Sequence, residues 1–248
     1  MKTGLVVATA LILGLGAANA ADITILSTQA TEQSYKELVP QFERATGHKV
    51  TTTFDGTLNI KKKITAGEYF DVLIMASPEI EDYLKSGTLA AGSRVDLAKS
   101  GVGAGVKAGA PKFDISTVDA LKKTLLSAKS IGYSTGPSGL YLLSMIEKLG
   151  LTEQVKPKMK QTPSGVFVGN LVANGETEIG FQQISEMSQF AGVDYIGPLP
   201  AEVQRYTVFT SGISAGSKQA DAARALVKFL TAPEAGAAFR KKGMEPGA

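Results

Sequence analysis

Val72-Leu73-Ile74-Met75-Ala76-Ser77-Pro78 is the stretch on which the fold turns. Four large apolar residues in a row, with no polar interruption, suit a strand buried on both faces, as in parallel sheets covered by helices on each side. Ser77-Pro78 then opens a helix, with Ser as cap and Pro at the first helical position, where no N–H is needed. A strand passing directly into a helix is half of a strand–helix–strand unit and predicts an α/β chain.

The same alternation extends outward on both sides. Upstream, residues 23–26 read as a short strand. Thr31 then caps a helix whose Tyr35, Leu38, Phe42 and Ala45 recur at helical spacing; Pro40 kinks it and Gly47 ends it. Residues 50–54 form the next strand, and Ile60 and Ile64 begin the next helix. Downstream, residues 101–111 are rich in Gly and Ala, and a change of lobe is expected there. Ser116 caps a helix to about Ala128, residues 130–134 are a strand, and Leu140, Leu143, Ile146 and Leu149 mark a helix core. Ser164 caps another helix ended by Gly175, a strand runs from about Thr177 to Gln182, and residues 206–213 return as a strand. Helices at 221–230 and 234–242 close the chain, with no internal repeat.

Lys2, the apolar residues 5–15 and Ala18-Asn19-Ala20 have the order of a cleaved secretory signal over residues 1–20, and the mature chain is expected to begin near Ala21. An export context, periplasmic or extracellular, follows. Removing the leader lowers the net charge from +3 to +2, too small a surplus for nucleic-acid binding. With no Cys, a thiolate nucleophile, a disulfide framework and a Cys-ligated metal are all excluded, and no lipid anchor is expected. The single His, His48, sits in a polar turn and reads as exposed. A Ser-His triad or a multi-His metal site is therefore not expected.

Three loops join a strand to a helix start, where unpaired N–H groups and the positive dipole end can hold an anion. They are Ser27-Thr28-Gln29-Ala30-Thr31, Asp55-Gly56-Thr57-Leu58-Asn59 and Thr135-Gly136-Pro137-Ser138-Gly139. In a parallel α/β sheet such loops share the carboxyl ends of the strands, where ligands bind. The same residue types also serve simply as caps and turns. Gln182 and Gln183 lie on one strand, so alternation lets at most one face the crevice; Gln183, at the strand's end, is the candidate.

The runs "ADITILSTQATEQSYKELVPQFERATGHKV", "KKKITAGEYFDVLIMAS" and "ALVKFLTAPEAGAAFRKKGM" resemble the periplasmic molybdate-binding proteins and the wider class of type II solute receptors. The resemblance implies a two-lobe α/β fold of the periplasmic binding protein type II kind, with residues 21–101 and 205–248 in lobe 1 and 102–204 in lobe 2. It also implies a monomer that binds a small anion without cofactor or metal and delivers it to an inner-membrane ABC permease. The ligand motif carries over in part: Thr57 matches a Ser of the second loop and Ser138-Gly139 the small pair that starts the third helix. Thr28, Gln29 and Thr31 flank the first-loop position, Gln183 falls where the motif has its binding side chain, and these seven are the expected ligand contacts. The sequence departs from the family at Ala30, where a Ser is usual, and at Gln183, where a Tyr is usual. Both changes alter hydrogen-bond partners on which discrimination depends, and Gln183 suits a carboxylate guest.

Those departures admit a second reading from the same scaffold, a cofactor-independent isomerase resembling the periplasmic aconitate isomerases. Such chemistry needs cations for the carboxylates and one base to move a proton. Lys61, Lys62, Lys63 and Arg205 are the available cations, with Asp55 or Tyr206 near the crevice mouth, although a lysine run is also what a solvated helix face looks like.

Overall fold

The pentapeptide 72–76 is a strand, β3 (Val72–Ala76), with all five residues buried. In the computed structural model, which describes residues 20–247, it sits near the middle of the first of two half-sheets. The expected signal segment, residues 1–20, lies outside the described residues except for Ala20. Side chains alternate across β3 as a strand requires. Val72 and Ile74 join a cluster with Ile23, Ile25, Tyr35, Leu38, Phe42 and Phe239, while Leu73 and Met75 pack on the other face with Leu26, Ile60 and Ile80.

Around β3 the first half-sheet contains β1 (Asp22–Thr28) and β2 (Lys49–Asp55), with β2, β1 and β3 parallel in that order. Between them run α1 (Glu32–Thr46), α2 (Thr57–Thr65) and, after β3, α3 (Ser77–Lys85). Helix α1 passes through Pro40 and stops at Gly47, whose φ of 76° is the left-handed conformation that glycine adopts readily. Thr31 precedes α1, but its hydroxyl bonds Ser27 Oγ and Thr28 O rather than capping the helix. His48 is half-buried instead of exposed: its Nδ1 accepts from Ala21 N at 3.0 Å and its ring lies 5.8 Å from Phe42.

The Gly- and Ala-rich stretch expected to be a break is mostly strand. The long β4 (Val95–Lys107) runs through it and changes neighbours partway. Up to Gly101 it pairs antiparallel with β9 (Tyr206–Ile213), which itself pairs antiparallel with β3. From Val102 onward it pairs with β7 (Ile179–Gln183) and β8 (Val193–Pro198). The second half-sheet is completed by β5 (Ile131–Tyr133) and β6 (Met159–Gln161), parallel to one another and, through β5, to β7. Its helices are α4 (Val118–Ser127), α5 (Pro137–Lys148), α6 (Thr152–Val155), α7 (Val168–Ala173) and α8 (Ile184–Met187), and its core gathers Val102, Val106, Leu121, Ile131, Leu142 and Phe181. After β9 the chain ends in α9 (Ala220–Leu230), α10 (Pro233–Lys241) and the two-residue β10 (Glu245–Pro246), which pairs with β4.

Two helix starts fall later than the sequence suggests. Thr117, not Ser116, caps α4, accepting from Ala120 N at 3.1 Å. Ser164 caps nothing: α7 begins at Val168, and Ser164 belongs to a turn that crosses to α2.

Candidate functional site

Four strand ends deliver helix starts to one place. β1 ends at Thr28, β2 at Asp55, β5 just before Ser134 and β7 at Gln183, and the turns that follow enclose a cavity of about 40 Å³. That is room for roughly three water-sized groups. Thr28, Gln29, Thr57, Ser138 and Gln183 line it, together with Ala30 where the family motif would have Ser. Thr31 and Gly139 stand behind the wall. Thr31 is buried against Ser27, and Gly139 lets α5 press so closely on Ser134 that a Cβ there would lie 1.8 Å from its carbonyl oxygen.

Thr28 is one of five described residues with a buried side-chain oxygen that has no hydrogen-bond partner, and of the five it is the one that lines the cavity. Its residue is 5% exposed, and its Oγ1 has no hydrogen-bond partner. An unsatisfied buried hydroxyl costs about 1–3 kcal/mol, so groups left this way call for a reason.

Both glutamines line the cavity, against the alternation expected of a strand, because β7 stops at Gln183 and the chain turns into α8 there. Gln182 Oε1 accepts from Val168 N at 2.8 Å. The Gln183 amide is engaged elsewhere. Its nitrogen donates to Ser100 O at 2.9 Å and Gly101 O at 3.2 Å, and its oxygen accepts from Thr207 Oγ1 at 2.8 Å, the orientation that gives each atom a partner of the right kind.

The wall is also closed from the second half-sheet by a turn at residues 163–166. Gln29 Nε2 donates to Gly165 O at 3.0 Å, Asn59 N to Ser164 Oγ at 3.3 Å and Asn59 Nδ2 to Ser164 O at 3.0 Å. Asp55 Oδ1 accepts from Gly56 N and Asn59 Nδ2, so its charge is met within its own turn.

Glu186, on α8, was not legible as a site residue: one acid in a short polar stretch carries no signal of its own. It lines the cavity with the Gln182 side chain and the Gln183 N–H beside its carboxyl. Desolvation by the surrounding protein pushes its pKa up to about 8; the two glutamine contacts pull the other way, and Glu32 adds repulsion.

A wider groove of about 480 Å³ adjoins the cavity, sharing Thr57, Thr135, Gly136 and Pro137 with it. Lys61 and Arg205 line this groove, as do Tyr206 and Glu79. Lys61 lies 3.6 Å from Glu79, and the Arg205 guanidinium lies 5.5 Å from the Tyr141 ring centre. Lys63 instead pairs with Glu68. Among the described residues, no group of three or more His, Asp or Glu is placed to hold a metal ion.

Strand-to-helix turns meeting around a small pocket in a mixed α/β chain define a ligand receptor built like the periplasmic binding proteins. Residues 23–245 match the bacterial extracellular solute-binding proteins, and the chain belongs to that family. It is 34% identical over 230 residues to an aconitate isomerase of a Pseudomonas species, covering 90% of this chain and 87% of that one. It is 32% identical over 241 residues to a molybdate-binding protein of Azotobacter vinelandii, covering 91% and 92%. The solved periplasmic molybdate-binding protein of Azotobacter vinelandii superposes with a TM-score of 0.76 at 20% identity, over 90% of this chain and 98% of that one. Among the described residues, no helix is long and apolar enough to cross a membrane.

Proposed function

We propose that this protein binds a small carboxylate-bearing anion in the crevice and presents it to an inner-membrane ABC permease. The observation that carries this reading is the convergence of four strand-to-helix turns that bring Thr28, Thr57 and Ser138 to one cavity. Thr28, Gln29, Thr57 and Ser138 are the proposed contacts, while Thr31, Gly139 and Gln183 act by holding the wall. A pocket that offers Ala30 in place of a hydroxyl, and whose Gln183 amide is engaged by main chain, has fewer donors for a tetrahedral oxyanion. The two lobes are proposed as residues 21–101 with 205–248, and 102–204, supported by the change of β4 partners between Gly101 and Val102. The protein works as a monomer in the periplasm once residues 1–20 are cleaved. A thermal-shift screen against molybdate, sulfate, citrate and cis-aconitate tests the reading, since a ligand bound only to the native state raises the melting temperature. A flat response to all four would sink it.

A second reading is favoured by Glu186 and by the relative named an aconitate isomerase: the same crevice moves a double bond in a polycarboxylate. Incubation with cis-aconitate should then yield the trans isomer without added cofactor, and the absence of product would dismiss this reading while leaving the receptor intact.

A further inference from the structure

The cavity that would take an anion contains two carboxyls, Asp55 and Glu186, and neither Lys nor Arg among its lining residues. Asp55 has Gly56 N and Asn59 Nδ2 on its Oδ1. An ionised Glu186 would set a like charge against a small anion with no Lys or Arg in the lining to offset it. A neutral Glu186 removes that charge and becomes a donor. The elements packed against α8 offer little that would keep it ionised. The 29–31 turn, α7 and β7 carry no titratable side chain, and on β4 Lys99 pairs with Glu245, Asp96 meets Arg94 and Thr210, and Lys107 lies by Gly175. On β8, Asp194 accepts from Gly109 N, and burial pushes the Tyr195 hydroxyl up to about 12; Glu32, at the start of α1, adds a further negative charge. At the end of α10, where Gly243 lies against Ile184, Lys241 pairs with Glu37 and Lys242 donates to Gln189. A guest with more than one carboxylate has the Lys61 and Arg205 groove next door for the remainder.

We propose that Glu186 is the acid–base residue of the crevice, meeting a polycarboxylate guest as a neutral hydrogen-bond donor and, in its ionised form, carrying a proton between two carbons of an unsaturated one. This rests on the isomerase reading. The C–H bond beside a guest carboxylate breaks, its electron pair stays in the allylic carboxylate system and the proton rests on a Glu186 oxygen. A new C–H bond then forms at the other end of the allylic system as the double bond shifts. No oxidant, reductant or water is consumed.

The test compares the wild-type mature protein with E186Q and E186D. Binding is read by calorimetry with tricarballylate, a saturated analogue that cannot isomerise, and turnover by formation of trans-aconitate from cis-aconitate. E186Q keeps the size and a donor, so it should weaken tricarballylate binding at pH 7 by less than about tenfold while turnover falls about 100-fold or more. Wild-type kcat/KM should rise about tenfold per pH unit and level off near the Glu186 pKa of about 8, while tricarballylate affinity declines above that pH. E186Q converting cis-aconitate at the wild-type rate would overturn the assignment and leave the isomerase standing. A wild-type protein that binds tricarballylate but converts no cis-aconitate would overturn both. Should E186Q fail to fold, E186D draws the carboxyl back by one methylene, and a folded E186D with wild-type turnover overturns the assignment equally.

Discussion

Thr28 and Glu186 each hold a polar group away from water at a cost that contact with a guest would offset. Thr28→Val keeps the shape of the side chain and deletes the unpartnered Oγ1. The free protein should be as stable as before or gain up to about 1 kcal/mol, because no hydrogen bond is lost, while affinity for the anion should drop about tenfold. Thermal melts of the free protein and calorimetry with the best anion read the two effects separately, and a destabilised free protein with unchanged affinity would show that Thr28 is only a wall residue. For Glu186 the sign follows from a folded pKa raised above the ordinary carboxylate range to about 8. The native state then holds more protons than the unfolded chain between those values, so this residue lowers stability as pH rises across that window, by at most about 1.4 kcal/mol per unit. Denaturant titrations from pH 5 to 9 should show a shallower decline in E186Q than in the wild type, with the variant the more stable of the two at pH 8.

At the level of elements, most of the α/β alternation was legible because apolar runs and helix stops are local signals: β3 is an unbroken apolar run, and Gly47 takes the left-handed conformation at the end of α1. β4 was not legible, because its central glycines are depleted in strands and look like a linker. They are there for a tertiary reason. A Cβ on Gly103 would lie 2.6 Å from the Tyr195 ring, and one on Gly105 would lie 2.5 Å from Val193. The three turns at the anion crevice were legible from strand–turn–helix order, but the closing turn at 163–166 was not, since its partners are more than a hundred residues away. Gly56 shows how tight that closure is. Its φ of −73° and ψ of 153° suit any residue, yet a Cβ would lie 2.3 Å from Gly165 N. Gly56→Ala should therefore cost about 1–3 kcal/mol of stability, since the clash is with backbone, and hold α2 away from the 163–166 turn. A loss of guest affinity of about tenfold or more is expected by calorimetry, along with a larger radius of gyration in the presence of anion by small-angle scattering.

On the scale of the whole molecule, the chain passes between the proposed lobes at two segments, one within β4 and one just before β9, and two side-chain amides pin them. Gln204 faces Val102 with both ends of its amide, Oε1 accepting from Val102 N at 2.8 Å and Nε2 donating to Val102 O at 2.9 Å, much as a neighbouring strand would. Gln183 ties the end of β7 to the carbonyls of Ser100 and Gly101 and to Thr207 on β9. Both contacts fall where β4 exchanges β9 for β7, so any opening of the crevice must bend the chain at the residues these amides hold. Gln204→Ala leaves the Val102 N–H without its acceptor and should cost about 1–3 kcal/mol of stability. The sharper readout is local: hydrogen exchange at Val102 should speed up by tenfold or more in the free variant, with the strands of each half-sheet unchanged, and addition of anion should restore much of the protection. Exchange that quickens uniformly across both half-sheets would mean that Gln204 supports the fold as a whole rather than the bend between its parts.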